Sequence, residues 1–283
     1  KSRANPKLLY QALAAMGCRL MRIWDNSFSW KQLEPEEGVF DFSCLAPIQK
    51  LHSDYGFEVV PVLGGMDFVE RDGKDDCKLP AWLRAQSELK DFRAMHRKAY
   101  MPPVENWRRY VREVAKQLKG SISHYEVMNE PNIIFPVASQ ADYMLYLKAA
   151  SEELKKVSPS NQVVAPSTTS DSGGKMIIFL ETVLKGGARD CSDVISFHPY
   201  GSPTLASSLS ADANIDAIRK TLSTFGANRL PLWNTELYYL HDSPNGTSPA
   251  ERSRFEPKDA ACRFLVDLGE GLSQSIAIHA SQL

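Results

Sequence analysis

Two carboxylates each close an apolar run. Ile122 to Met128 reads as a strand that stops at Asn129-Glu130-Pro131, where a proline that cannot donate to a ladder leaves an amide and a carboxyl at the tip. Pro231 to Thr235 reads the same way and stops at Glu236, with Tyr238 and Tyr239 behind it. Strand tips are where parallel α/β folds keep their reacting groups. Two glutamates placed so can divide a substitution between them: one protonates a leaving oxygen, the other attacks carbon or activates water. A solvated acid in a turn is the competing reading of Asn-Glu-Pro by itself, and the second strand-terminal glutamate shifts the balance against it.

This division of labour is that of glycoside hydrolysis. Other residues fall in step with it. In Leu20-Met21-Arg22-Ile23-Trp24, period-two alternation sets Leu20, Arg22 and Trp24 on one face. An arginine facing a barrel interior is costly without an acidic partner, and Glu236 is the expected one, with a structural acid as the alternative. From Val194 to Tyr200 the same alternation aligns Ser196, His198 and Tyr200.

The strings EVMNEPN, FHPY and LWNTE together resemble the clan A glycoside hydrolases, a superfamily of retaining (β/α)8 barrels, with the β-xylosidase-like families nearest in pattern. An independent stretch agrees: Trp30, Glu34-Pro35, Gly38 and Phe40-Asp41-Phe42 reproduce the W-x-x-x-E-P-x-x-G-x-F-D-F segment seen after strand 2 in β-xylosidase-like and β-galactosidase-like members. The resemblance implies that Glu130 is the acid/base and Glu236 the nucleophile. It makes Asn129 a donor to the sugar 2-hydroxyl, Tyr200 a donor that steadies the nucleophile, and Arg22 the cation that keeps Glu236 ionised. His198 is either part of the substrate site or a structural histidine behind Tyr200. A cation and donors should lower the pKa of Glu236, whose charge should keep Glu130 protonated. The clan usually ends strand 8 on a tryptophan that floors the sugar, but this chain offers His279, so Trp24, Trp82 and Trp233 are the alternative aromatic floors.

The elements that would position these groups alternate. A helix starts at Asn5-Pro6 and stops at Gly17; strands follow at 20–24, 57–63, 122–128, 162–165, 194–200, 231–236 and 275–279. Helices are expected at 44–54, 104–119, 140–157, 175–185, 211–225 and 257–269. The fold class is therefore α/β, a (β/α)8 TIM barrel in one catalytic domain over residues 1–283. Seven strands are counted, and the clan's first strand and last helix are not found. An open seam is thus expected between the Leu20 and His279 strands, covered by additional polypeptide. Residues 64–103 are too long for an ordinary connection and read as a functional loop with short helices of its own.

Bulk properties narrow the partners. With 33 basic and 34 acidic residues among 283, a net charge of -1 gives no electrostatic case for nucleic acid or an anionic membrane, and a neutral carbohydrate fits better. No apolar run approaches a bilayer span, and the N-terminus lacks the order of a signal peptide, although a polysaccharide-degrading role favours a secreted or periplasmic place. Cysteines at 18, 44, 77, 191 and 262 lack metal-ligand spacing, so no metal and no disulfide scaffold is expected. No cofactor is expected either, because no GxGxxG is present and residues 238–248 and 278–283 lack a glycine-rich anion site. Two rivals remain. One is a metal-dependent barrel hydrolase using Asp67, His198, Glu236 and His279, without the H-x-H pair that usually marks such barrels. The other is a carbohydrate-binding pseudo-enzyme on the same barrel.

Overall fold

A computed structural model of the chain describes residues 6–15, 17–23, 28–64, 69–71, 77–92, 97–135, 140–169, 175–199, 205–237 and 264–277. In chain order α1 (Pro6–Ala15) leads to β1 (Leu20–Ile23), α2 (Trp30–Leu33), α3 (Ala46–Tyr55) and β2 (Glu58–Leu63). An excursion follows, made of β3 (Val69–Arg71), α4 (Ala81–Gln86), β4 (Glu88–Phe92) and β5 (Arg97–Met101). The alternation then resumes with α5 (Val104–Leu118), β6 (His124–Val127), α6 (Pro131–Ile134), α7 (Gln140–Val157), β7 (Gln162–Val164), β8 (Thr168–Thr169) and α8 (Lys175–Lys185). The last elements are β9 (Ile195–His198), α9 (Leu205–Thr224), β10 (Leu232–Leu237), a helix over residues 264–269, and β11 (Gln274–Ala277).

Two parallel four-stranded ladders, β1-β2-β6-β7 and β8-β9-β10-β11, are joined by the parallel bridge from Val164 to Val194. This is the expected (β/α)8 architecture, and β7 and β8 together occupy one stave. Strand alternation sorts the side chains as the sequence suggests. Tyr125 and Val127, Ile195 and Phe197, and Val59 and Leu63 enter the large core between sheet and helices. Val60, Val164, Val194 and Trp233 instead form a small apolar plug inside the barrel, with Leu20 against it. On α5, Trp107, Tyr110, Val111, Val114, Ala115 and Leu118 recur at helical spacing and are all fully buried. None of the described helices is long and apolar enough to cross a membrane.

β1 and β11 stand at the two ends of the strand order, and no ladder joins them among the described residues. They nonetheless approach within 8 Å between Cα atoms. An absent strand between them would leave two interstrand steps, about 9.6 Å, so the seam is drawn in and the full-width opening expected of a missing strand is not seen among the described residues.

Two expectations need correction. Residues 64–103 contain α4 but also a three-stranded antiparallel sheet in the order β3-β5-β4, where only short helices were expected. Its strands are short and rich in charge, as in Glu88-Leu89-Lys90-Asp91-Phe92 opposite Arg97 to Met101, so no apolar alternation announces them. α9 also begins at Leu205, before the expected 211.

The Trp30 to Phe42 string is a structural fastener. Glu34 is fully buried and accepts from Trp30 Nε1 at 2.8 Å, from the Gly38 amide at 2.9 Å, and from Arg109 Nε and Nη2 at 3.0 and 2.7 Å. Gly38 has φ of 77°, a left-handed conformation suited to glycine, which turns its amide onto the carboxylate. Removing one member of a buried charged network costs about 3–5 kcal/mol, whereas exposed pairs are worth ~0–1 kcal/mol. Glu34→Ala is therefore expected to destabilise the protein by about 3 kcal/mol in urea unfolding. Lys50→Ala, which breaks the exposed Lys50–Asp54 pair, should shift the midpoint little.

Candidate active site

The upper half of the barrel interior is polar where the lower half is apolar. β1 carries Arg22 inward with its side chain 2% exposed. Its Nε donates to both carboxylate oxygens of Glu126 at 3.0 Å, Nη2 donates to Glu126 Oε1 at 2.5 Å and to Asn129 Oδ1 at 2.6 Å, and Nη1 donates to Glu236 Oε2 at 2.6 Å. The expected Arg22–Glu236 pair is thus present, and so is the structural acid, Glu126. From β9, His198 is fully buried, with Nδ1 3.1 Å from Glu130 Oε1 and 3.9 Å from Glu236 Oε2, and Nε2 3.1 Å from Thr235 Oγ1. One atom from each of Glu130, His198 and Glu236 falls within 4.8 Å of the others.

The tip of β6 is held in an uncommon backbone. Met128 and Glu130 have φ of 63° and 46°, left-handed values that side chains other than glycine rarely adopt. Such conformations persist only where surroundings enforce them, and they cluster at functional sites. Here Asn132 enforces part of the geometry: its Nδ2 donates to Thr169 O at 2.9 Å while the Thr169 amide donates to its Oδ1 at 2.9 Å. This amide clip ties α6 to β8 beside Glu130. Below it, the Ser167 amide donates to Ser196 Oγ at 3.0 Å, joining β9 to the segment before β8.

The proton affinities of the two carboxyls run opposite to the sequence expectation. Burial acts to raise Glu130, but the hydrogen bond and charge of His198, the Thr169 hydroxyl and Arg22 outweigh it and leave Glu130 below the ordinary value. Glu236 is raised by burial first; His198 and Arg22 oppose this, and the Glu130 and Glu126 carboxylates reinforce it. Burial is the largest cause, and Arg22, which is shared with Glu126, does not offset it. For Arg22 itself burial lowers the pKa, and the three glutamates more than compensate.

Glu130, Glu236, Asn129, Arg22 and His198 therefore meet as expected. Trp82 and Trp233 are placed elsewhere. Trp82 donates from Nε1 to Glu34 O at 3.2 Å and has the Arg109 guanidinium 5.6 Å from its ring, on the fastener described above. Trp233 lies in the apolar plug against His124, at the start of β6, with ring centroids 5.1 Å apart and the planes tilted by 34°. It is three residues before Glu236, about 10 Å down the strand. Trp24, Tyr200 and His279, and Asp67 of the metal rival, lie outside the described residues.

Residues 7–134 match the Glyco_hydro_42 family, β-galactosidase, over a stretch just short of half the chain that includes Arg22, Asn129 and Glu130. Similar solved structures include a glucosidase from Croceicoccus marinus, with a TM-score of 0.63 and 13% identity, covering 95% of this chain and 55% of that one. An exo-β-1,4-mannosidase from Opitutaceae bacterium strain TAV5 gives 0.62 and 16%, with 95% and 47% covered. A β-xylosidase from Caulobacter crescentus gives 0.54 and 20%, with 84% and 51% covered. The chain resembles the clan A glycoside hydrolases. It spans about half the length of these three solved chains, and at such identities the structural likeness speaks for the fold. No curated protein matches the sequence.

Against this clan A background, Glu126, Thr235, Asn132 and Thr169 are the site residues that sequence reading passed over. Glu126 had a signal: alternation along β6 places it inward beside the arginine, two residues before the Met128 turn. Thr235 had a signal too: it lies two residues beyond the inward Trp233, so regular alternation points it inward, and it is the inward turn of Glu236 that alternation does not give. The Glu130–His198–Glu236 cluster could also offer three ligands to one cation. However, Glu236 already holds the Arg22 guanidinium, whose charge opposes a second cation there.

The raised Glu236 has a consequence for stability. The folded state holds this proton more tightly than the unfolded chain, so stability is lost as pH rises from the ordinary value of 4.5 through the folded value. Glu236→Gln removes that loss. Melting curves should show the variant more stable than the parent at pH 7, with the difference vanishing below about pH 4, where the parent carboxyl is protonated in both states.

Proposed function

We propose that this chain forms the catalytic barrel of a retaining glycoside hydrolase that cleaves O-glycosidic bonds of a neutral oligo- or polysaccharide. The carrying observation is the approach of Glu130 and Glu236, of which one oxygen each lies within 4.8 Å of the other, with His198 Nδ1 near both. Retaining enzymes keep their carboxyls about 5–5.5 Å apart, and inverting ones need ~6.5–9.5 Å to admit a water.

In this reading Glu236 attacks the anomeric carbon as the bond to the leaving oxygen breaks, and Glu130 gives that oxygen a proton. Water then attacks the same carbon, Glu130 takes its proton, and the bond to Glu236 breaks. Because Asn129 Oδ1 accepts from Arg22, its amide nitrogen is turned outward as a donor for a sugar hydroxyl. His198 Nδ1, 3.1 Å from Glu130 Oε1, holds the Glu130 carboxyl in place at the mouth for its part in the reaction.

Mutant kinetics on aryl β-glycosides test the roles. Glu236→Gln should lose about 10³-fold or more on every substrate, since no glycosyl-enzyme forms. Glu130→Ala should be severe for poor leaving groups and mild for activated aryl glycosides, with azide restoring rate by attacking the intermediate. Equal losses on all substrates without azide rescue, together with an active Glu236→Gln, would reverse the assignment. Proton NMR should show the retained anomer as first product; the inverted one would rule out the mechanism.

The three-ligand cluster favours a second reading, metal-assisted hydrolysis. That reading requires chelation to abolish turnover and an added divalent ion to restore it, whereas the two-glutamate reading expects chelators to leave the rate unchanged.

A further inference from the structure

A regular strand cannot point two consecutive residues to the same side, yet Thr235 and Glu236 both reach the barrel interior, one at His198 and the other at Arg22. The register of β10 against β11 explains how. Trp233 pairs with Gln274 and Asn234 with Ser275, but the next pair is Leu237 with Ala277, so β10 holds one residue more than β11 across this step. This is a β-bulge, a device that re-aims a side chain beside an active site. Against β9 the register runs regularly through Leu232, Trp233 and Asn234. Asn234 is thus the last regularly paired residue on both sides before the irregularity.

A buried cluster is fixed to that residue from outside the barrel. Asp267, on the helix over 264–269, is fully buried. Its Oδ2 accepts from Asn234 Nδ2 at 2.7 Å and from Ser275 Oγ at 2.6 Å, and the Asn234 amide nitrogen also lies 3.3 Å from Ser275 Oγ. One carboxylate therefore holds the two residues that face each other across the final regular pair. Among the described residues Asn234 Oδ1 has no hydrogen-bond partner though buried, a cost that a merely well-packed residue would avoid.

We propose that Asp267, through Asn234 and Ser275, is a positioning residue: it locks the register below the bulge and so determines where Glu236 points. The catalytic meaning of this clamp rests on Glu236 being the nucleophile proposed above; its geometric meaning does not. With the clamp in place the slip falls only at Thr235-Glu236. Without it β10 can slide to regular pairing with β11, which turns either Thr235 or Glu236 out of the mouth. A misplacement near 1 Å at a reacting group costs about 10²-fold in rate.

The test uses Asp267→Ala, Ser275→Ala and Asp267→Asn in the full chain, read by crystal structure and by kinetics. For Asp267→Ala we expect the Leu237–Ala277 offset or the Arg22–Glu236 contact to be lost, kcat to fall 10- to 100-fold, and KM to stay within threefold. Asp267→Asn keeps an acceptor and should recover most of the rate, and Ser275→Ala, which leaves the Asn234 tie, should lose less than tenfold. If Asp267→Ala does not fold, the order of the other two variants decides. An unchanged bulge and Arg22–Glu236 contact in Asp267→Ala, or in Ser275→Ala if Asp267→Ala does not fold, with kcat altered only in proportion to the folded fraction, would overturn the clamp. A parent protein with no glycosidase turnover, or an active Glu236→Gln, would instead overturn the functional reading and leave the clamp to be judged by the Arg22–Glu236 contact.

Discussion

One guanidinium binds the mouth of this barrel together. Arg22 sits on β1 at 2% side-chain exposure and reaches Glu126 and Asn129 from the β6 side and Glu236 from β10. A buried arginine without such partners would be prohibitively costly, and three buried or half-buried glutamates without a cation would repel one another. The two problems cancel only in this geometry. The planar fork of arginine, with separate donors for separate carboxylates, is what allows one residue to hold two strands at once; a lysine in its place would supply a point charge without the fork.

Burial and crowding together explain why the electrostatics departs from a simple donor-and-acceptor scheme. Glu126, Glu130 and Glu236 draw on one permanent cation and one histidine, and the first of them takes the largest part of Arg22 through paired hydrogen bonds. Glu236, raised first by burial, is left leaning toward its protonated form, and Glu130, against His198, leans the other way.

How much of this was legible in the sequence follows from what periodicity can encode. Leu20 to Ile23, Ile195 to His198 and His124 to Val127 alternate cleanly, so the inward residues Arg22, His198 and Glu126 could be read from pattern alone. The two glutamates were legible because each ends an apolar run. The antiparallel sheet of β3, β4 and β5 was not, because its charged strands carry no apolar period. That Thr235 and Glu236 both turn inward was hidden for another reason: a bulge is a relation between two strands, and neither strand states it alone. Trp233 drew attention as an aromatic beside a catalytic strand, but its distance down that strand, and not its type, placed it in the apolar plug.

The drawn-in seam bears on how the protein fails. β1 has a laddered neighbour, β2, on one side, and on the other it faces β11 without a ladder among the described residues. Staves with one bonded edge open at lower free energy than staves bonded on both, so amide protons of β1 should exchange ahead of those in β2 or β9. Arg22 rides on that stave. Each fraying event withdraws the guanidinium from Glu126 and Glu236 at once, so the mouth should come apart on warming before the cooperative melting of the barrel.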